Sequence, residues 1–236
     1  MAFYFIGSCA FFCFVNKSIG LILKHKNLTT VKNDRLVRNT ICSLIHSIIS
    51  SIGTVLCYVE TPTLSQNFIN TSSKLAHILL LFSSGYFLYD IGDMIMYDGG
   101  NQLVVIAHHA LAIMFYATCM KNNHCIGFAV FSLVAEYSSV FIHIRRLLII
   151  ANMRNSHIYT TIKYCLIISV LVCRVGGCLW MWKHLIYNSN NSISKHNLLI
   201  GVLALLYITP MNIGMMRRLW TVDFRSQRKK TLNKKF

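Results

Sequence analysis

Asp90 and Asp93, His108 and His109, and Glu136 stand inside three successive apolar stretches of this 236-residue chain. An acid or base at mid-membrane costs about 2.5 to 3.5 kcal/mol on insertion scales, so a retained one faces a bundle interior, a pore or a substrate cavity. Carboxylates and imidazoles converging at one depth are the groups that proton transfer requires.

Composition identifies the elements that must position them. Mean hydropathy is +0.52, 55% of residues are apolar and 13% are charged, against about 25% charged in soluble domains. With two prolines in the chain, the apolar windows run long enough for the roughly 20 residues that cross a bilayer. The runs are continuous, not alternating, which excludes a strand barrel. The predicted fold is an all-α, multi-pass transmembrane helical bundle with seven spans, near 2–23, 40–58, 76–97, 103–120, 126–144, 160–182 and 198–216.

Charge distribution predicts orientation. With the N-terminus outside, seventeen Lys and Arg residues flank the spans on the inner side, in segments 24–38, 145–163 and 217–235, against Lys74, Lys121, Lys183 and Lys195 outside. Basic residues favour the cytoplasmic face, so the C-terminus is expected in the cytosol, at the plasma membrane or the endoplasmic reticulum. The first span lacks a basic region before it and is followed by Lys24-His25-Lys26, as suits a retained anchor.

Topology then sets depth. His108 and His109 lie ~8 Å inside the inner boundary at 1.5 Å per residue, and Asp90 and Asp93 precede the inner end of the third span by a similar margin. Glu136 lies ~13 Å in, with His46 and Asn212 in the inner half of the second and seventh spans. Tyr86, Asp90, Asp93 and Tyr97 form one helical stripe, and Glu136, Ser139 and His143 another. One polar layer follows. Arg174 reads as an exception in the outer half of the sixth span, placed to snorkel or to serve as a structural ion or hydrogen-bond partner.

The remaining signals are bland. Sequons stand at Asn27, Asn70 and Asn190, and the topology leaves Asn70 and Asn190 for glycosylation. Nine cysteines show no CxxC or Cys/His spacing, so no metal site is expected; Cys119 and Cys125 bracket one outer loop and could pair, but read better as buried free thiols. The formal charge of +16 marks a basic tail attracted to anionic inner-leaflet lipids at about 1 kcal/mol per basic residue, not nucleic-acid binding.

Gly85-Tyr86-Phe87-Leu88-Tyr89-Asp90-Ile91-Gly92-Asp93-Met94, followed by His108-His109, resembles the TLC-domain family of TRAM, Lag and CLN proteins. Arg38-Asn39, Cys42 to Ser47, Ala135 to Phe141 and Asn212 fit the same pattern. The resemblance covers about 34–227, after an N-terminal anchor helix and basic loop (1–33) and before a basic tail (228–236), and its texture matches small TLC-domain proteins of the calfacilitin type.

The resemblance implies a six-helix TLC domain enclosing a lipid-sized cavity. In the enzymatic branch, the ceramide synthases, paired histidines transfer an acyl chain from acyl-CoA to a sphingoid amine. His108 or His109 would then act as base or nucleophile, oriented by Asp90 or Asp93, with acyl-CoA as a substrate and no cofactor. His46, Tyr86, Glu136, His143, Arg174 and Asn212 would line or brace the lipid cavity. The synthase pattern has Arg-x-Asp-Phe-x-Glu-Met before the pair and Thr three residues after it; here Gly99 to Val105 and Ala112 stand there. The calfacilitin type is instead associated with the fatty-acyl composition of membrane phospholipids and with fluidity, by catalysis or by non-catalytic binding of lipids and partners. Di-iron desaturases need several histidine boxes, and this chain has one pair. A seven-helix receptor shares the topology, but this polar layer lies too deep on the inner side for an outward pocket.

Overall fold

A computed structural model describes residues 2–25, 31–98, 102–187 and 193–222. Without water to satisfy backbone N–H and C=O groups, apolar spans fold as helices, and among the described residues seven stretches are long and apolar enough to cross a membrane. In chain order the helices are α1 (Ala2–His25), α2 (Val31–Glu60), a one-turn α3 (Thr63–Gln66), α4 (Lys74–Asp98), α5 (Leu103–Asn122), α6 (Ile126–Ser132), α7 (Ala135–Ile150), α8 (His157–Ser169), α9 (Gly177–Tyr187) and α10 (Lys195–Trp220). A π-helical segment, Val170–Gly176, joins α8 to α9.

Six spans close a ring: α2 packs on α4, α4 on α5, α5 on α10, α10 on the α8–π–α9 column, that column on α7, and α7 back on α2. The ring encloses the cavities. The extra helix α1 lies outside it against α4 and α2, yet it is more than an anchor. Phe12 is fully buried, with its ring 4.9 Å from Tyr86 and 6.2 Å from His46, and Ser8 Oγ donates to Phe82 O at 2.6 Å. The seam is close because position 85 has no side chain: a Cβ there would lie 2.4 Å from Phe5 O. Small residues of this kind let membrane helices approach.

Three predicted spans differ in detail. The second begins at Val31, nine residues earlier than expected, because its first turns are tied by Arg35 and Asn39 to α4 and need no apolar surroundings. The fifth is broken at Leu133 and Val134 into α6 and α7. At the start of α6 Gly127 meets the connection after α3, where a Cβ would stand 2.7 Å from Phe68 Cα, so the entry to α6 is fixed by backbone packing and not by hydropathy. The sixth carries the π segment. Asn27, Asn190 and the tail beyond residue 222 lie outside the described residues; Asn70 is exposed in the connection leading to α4.

Candidate functional site: a polar vestibule joined to an apolar slot

Four residues of α2 at successive four-residue steps, Arg35, Asn39, Ser43 and Ser47, line up on one helical face. Three of them bind acids of the neighbouring helices, and Ser43 binds a phenol. Arg35 Nη2 donates to Asp93 Oδ2 at 3.0 Å, and Asn39 Nδ2 donates to Asp90 Oδ1 at 2.8 Å and to Asp93 Oδ2 at 3.3 Å. Ser43 Oγ accepts from the Tyr86 hydroxyl at 2.9 Å, and Ser47 Oγ donates to Glu136 Oε2 at 2.7 Å. The buried carboxylates of α4 and the half-buried Glu136 of α7 are thus partnered, as removal from water demands.

The histidines occupy two kinds of place. His46 is enclosed, stacked on Tyr86 with ring centres 3.9 Å apart, with Nε2 2.9 Å from Ser50 Oγ and Nδ1 3.8 Å from Glu136 Oε2. Its packing is structural. His109 stacks on Phe87 at 4.6 Å, and its Nδ1 lies 3.4 Å from Asp90 Oδ2. That separation is within ion-pair range, but the alignment does not make a hydrogen bond. Among the described residues, buried Nδ1 atoms of His109 and His143 have no hydrogen-bond partner. Both histidines border a cavity.

This cavity is a vestibule of about 850 Å³, lined on its polar walls by Asp90, His108, His109, Glu136, His143 and Arg174, with Arg35, Arg146 and Arg218 around it. A narrow slot of about 110 Å³ continues between α5, α6, α9 and α10, walled by Ala112, Phe115, Phe128, Phe131 and Leu205. Phe87, His108, Glu136 and Arg174 border both spaces. They form the junction. An amphiphile with its chain in the slot would present its head group to an imidazole, a carboxylate and a guanidinium.

Arg174 corrects the expectation of an outer-half exception. The π segment buries it; Nε donates to Ser138 Oγ at 2.5 Å, Nη2 to Ser139 Oγ at 2.7 Å and Nη1 to Asn212 Oδ1 at 3.2 Å. It belongs to the polar layer, and it does not snorkel to the outer interface. Asp93 also differs from expectation: it faces Arg35 and Asn39, while Asp90 alone of the two lines the vestibule. Tyr97 leaves the stripe altogether, exposed beneath the Arg35 guanidinium at 5.0 Å. Arg35, Asn39, Ser47 and Ser138 escaped the sequence reading as site residues; the four-residue polar repeat on α2 was the available signal. Cys119 and Cys125 are both buried and free, and among the described residues no group of three or more His, Cys, Asp or Glu side chains is placed to hold a metal.

A ring of six spans around this junction, with an acid-bearing helix followed by a histidine pair, defines a class. The TLC-domain family model of TRAM, LAG1 and CLN8 proteins matches residues 37–222, and the chain belongs to that family. It is 31% identical to TLC domain-containing protein 2 of Danio rerio, over 96% of this chain and 92% of that protein. It is 27% identical to TLC domain-containing protein 1 of Homo sapiens, over 79% and 74% respectively, and 26% identical to TLC domain-containing protein 2 of Mus musculus, over 82% and 63%. No solved structure matches the chain.

Proposed function

We propose that this protein takes acyl chains of membrane lipids into the slot and vestibule and thereby sets the fatty-acyl composition of membrane phospholipids, and with it bilayer fluidity. The observation that carries the reading is the junction: His108 borders both the apolar slot and the polar vestibule, so the polar end of a seated chain meets a group able to exchange a proton. Arg35, Arg146 and Arg218 give the vestibule a positive wall for the phosphates of a phospholipid or an acyl thioester. The charge bias supports a membrane orientation with the vestibule towards the cytosol, at the plasma membrane or the endoplasmic reticulum.

One observation favours a second reading, acyl transfer to an amine in the manner of ceramide synthases. An imidazole beside a carboxylate, His109 with Asp90, is the arrangement in which the acid fixes the ring and stabilises the cation formed when the imidazole accepts a proton. The test compares cells lacking the protein with cells re-expressing the wild type or His108→Ala plus His109→Ala. Phospholipid acyl chains and membrane order should revert only with the wild type. Unchanged phospholipids with a fall in ceramides would select the second reading, and a well-expressed double variant that restores the wild-type profile would remove imidazole chemistry from both.

A further inference from the structure

Arg174 has more hydrogen-bonding capacity than its neighbours use. A guanidinium carries five N–H donors, and the three bonds it makes go to the neutral groups of Ser138, Ser139 and Asn212. Among the described residues no carboxylate lies within 4.0 Å of it. Glu136 borders the same junction and offsets part of the charge from beyond 4.0 Å, while its Oε2 accepts from Ser47, so it makes no direct bond to the guanidinium. A cation buried at membrane depth among neutral partners is costly until an anion completes it.

We infer that Arg174 anchors the carboxylate of a single-chain fatty acid whose tail fills the apolar slot. The inference rests on the reading that the cavity receives acyl chains, and names the form in which one is held. The planar fork of a guanidinium matches the two oxygens of a carboxylate. Beyond it the slot is apolar for about 12 Å along α5, from His108 to Tyr116, and takes a chain but no head group. Cys125 and Asn197 line its far end, both beside one nitrogen: His124 Nδ1 lies 3.2 Å from Cys125 Sγ and 3.3 Å from Asn197 Nδ2. A chain seated with its methyl end in the apolar slot has its carboxylate at Arg174, where slot and vestibule meet. Phosphate head groups find their arginines elsewhere, on the vestibule wall.

The test uses the full chain in phosphatidylcholine nanodiscs with tritiated dodecanoate, empty discs being subtracted. Wild type should bind saturably, with unlabelled dodecanoate competing and dodecanol, which has the chain without the charge, competing at least about tenfold less well. Arg174→Gln should weaken binding by about tenfold or more, and Glu136→Gln, which removes the competing negative charge, should strengthen it. Dodecanol competing as well as dodecanoate on the wild type overturns the anchor without recourse to any variant. Undiminished affinity in Arg174→Gln, or stronger competition by dodecyl phosphate, overturns it too. Binding is read on purified protein, so its failure leaves the cellular lipid-profile reading intact, and a failed lipid profile leaves the anchor intact.

Discussion

Replacing Gly85 by alanine should separate two contributions that usually travel together. In a helix interior the exchange gains about 1 kcal/mol of intrinsic propensity. At position 85, however, the new Cβ would stand 2.4 Å from Phe5 O and 2.7 Å from Ser8 Cβ, where ordinary contact begins at 3.4 Å. The nearest obstacle is backbone, so α1 must withdraw by about 1 Å. Overpacking of this kind costs about 1 to 3 kcal/mol. Withdrawal also stretches the Ser8 to Phe82 bond of 2.6 Å, worth about 0.6 kcal/mol in a membrane bundle, and loosens Phe12 from Tyr86. A net loss of about 1 to 2 kcal/mol is expected from these terms. Gly92, two turns later in the same helix, has nothing within 4 Å of an added Cβ, so Gly92→Ala should stabilise by about 0.5 to 1 kcal/mol. Unfolding midpoints titrated with SDS from mixed micelles would read both. Equal shifts in the same direction would refute the close α1–α4 seam.

Asn39→Leu removes the donor shared by Asp90 and Asp93 and should destabilise by about 1.5 to 3 kcal/mol; an unfolding midpoint equal to wild type would show the clamp to be idle. Burial pushes the Cys125 thiol up to about 11, so it stays protonated at neutral pH. A water-soluble maleimide should leave it unmodified in the folded protein and label it after denaturation, with peptide mass spectrometry as the check. A C-terminal epitope should become accessible to antibody only after permeabilisation, and any N-glycan should disappear on replacing Asn70 or Asn190 by Gln.

Helices were legible because hydropathy over some 20 residues decides which segments enter a bilayer. Their interruptions were not, since neither the break at Leu133 nor the π segment alters mean hydropathy. The polar layer was legible from depth, but its membership was misjudged where a straight rise per residue stood in for side-chain direction. A helical side chain leans towards its own N-terminus, and the column carrying Arg174 has its N-terminal end on the side where Ser138, Ser139 and Asn212 lie. The guanidinium therefore reaches back into the layer. Asp90 and Asp93 are three residues apart, which separates their directions by about 60° at 3.6 residues per turn; the vestibule faces the first and α2 takes the second. On α2 the polar repeat was hidden because Arg35 counts with the basic segment 24–38, while Asn39, Ser43 and Ser47 enter only as parts of the family pattern.

The π-helical stretch Val170–Gly176 makes the position of Arg174 depend on residue count as well as residue identity. Each residue turns an α-helix by about 100°, and wider π turns occur in helices mostly as local bulges, frequently at functional sites. An i→i+5 turn holds one residue more than an i→i+4 turn, so deleting one residue from Val170 to Cys173 would close the column to a uniform α-helix with α9 nearly in register. Inserting one alanine just before Val170 would instead swing Arg174 by about 100°, away from Ser138 and Asn212 and towards lipid. No side chain would have changed. Point substitutions at the guanidinium ask what the group does; a single-residue insertion just before it asks how the fold aims it, and removing one residue from the π segment of the same variant should restore the aim.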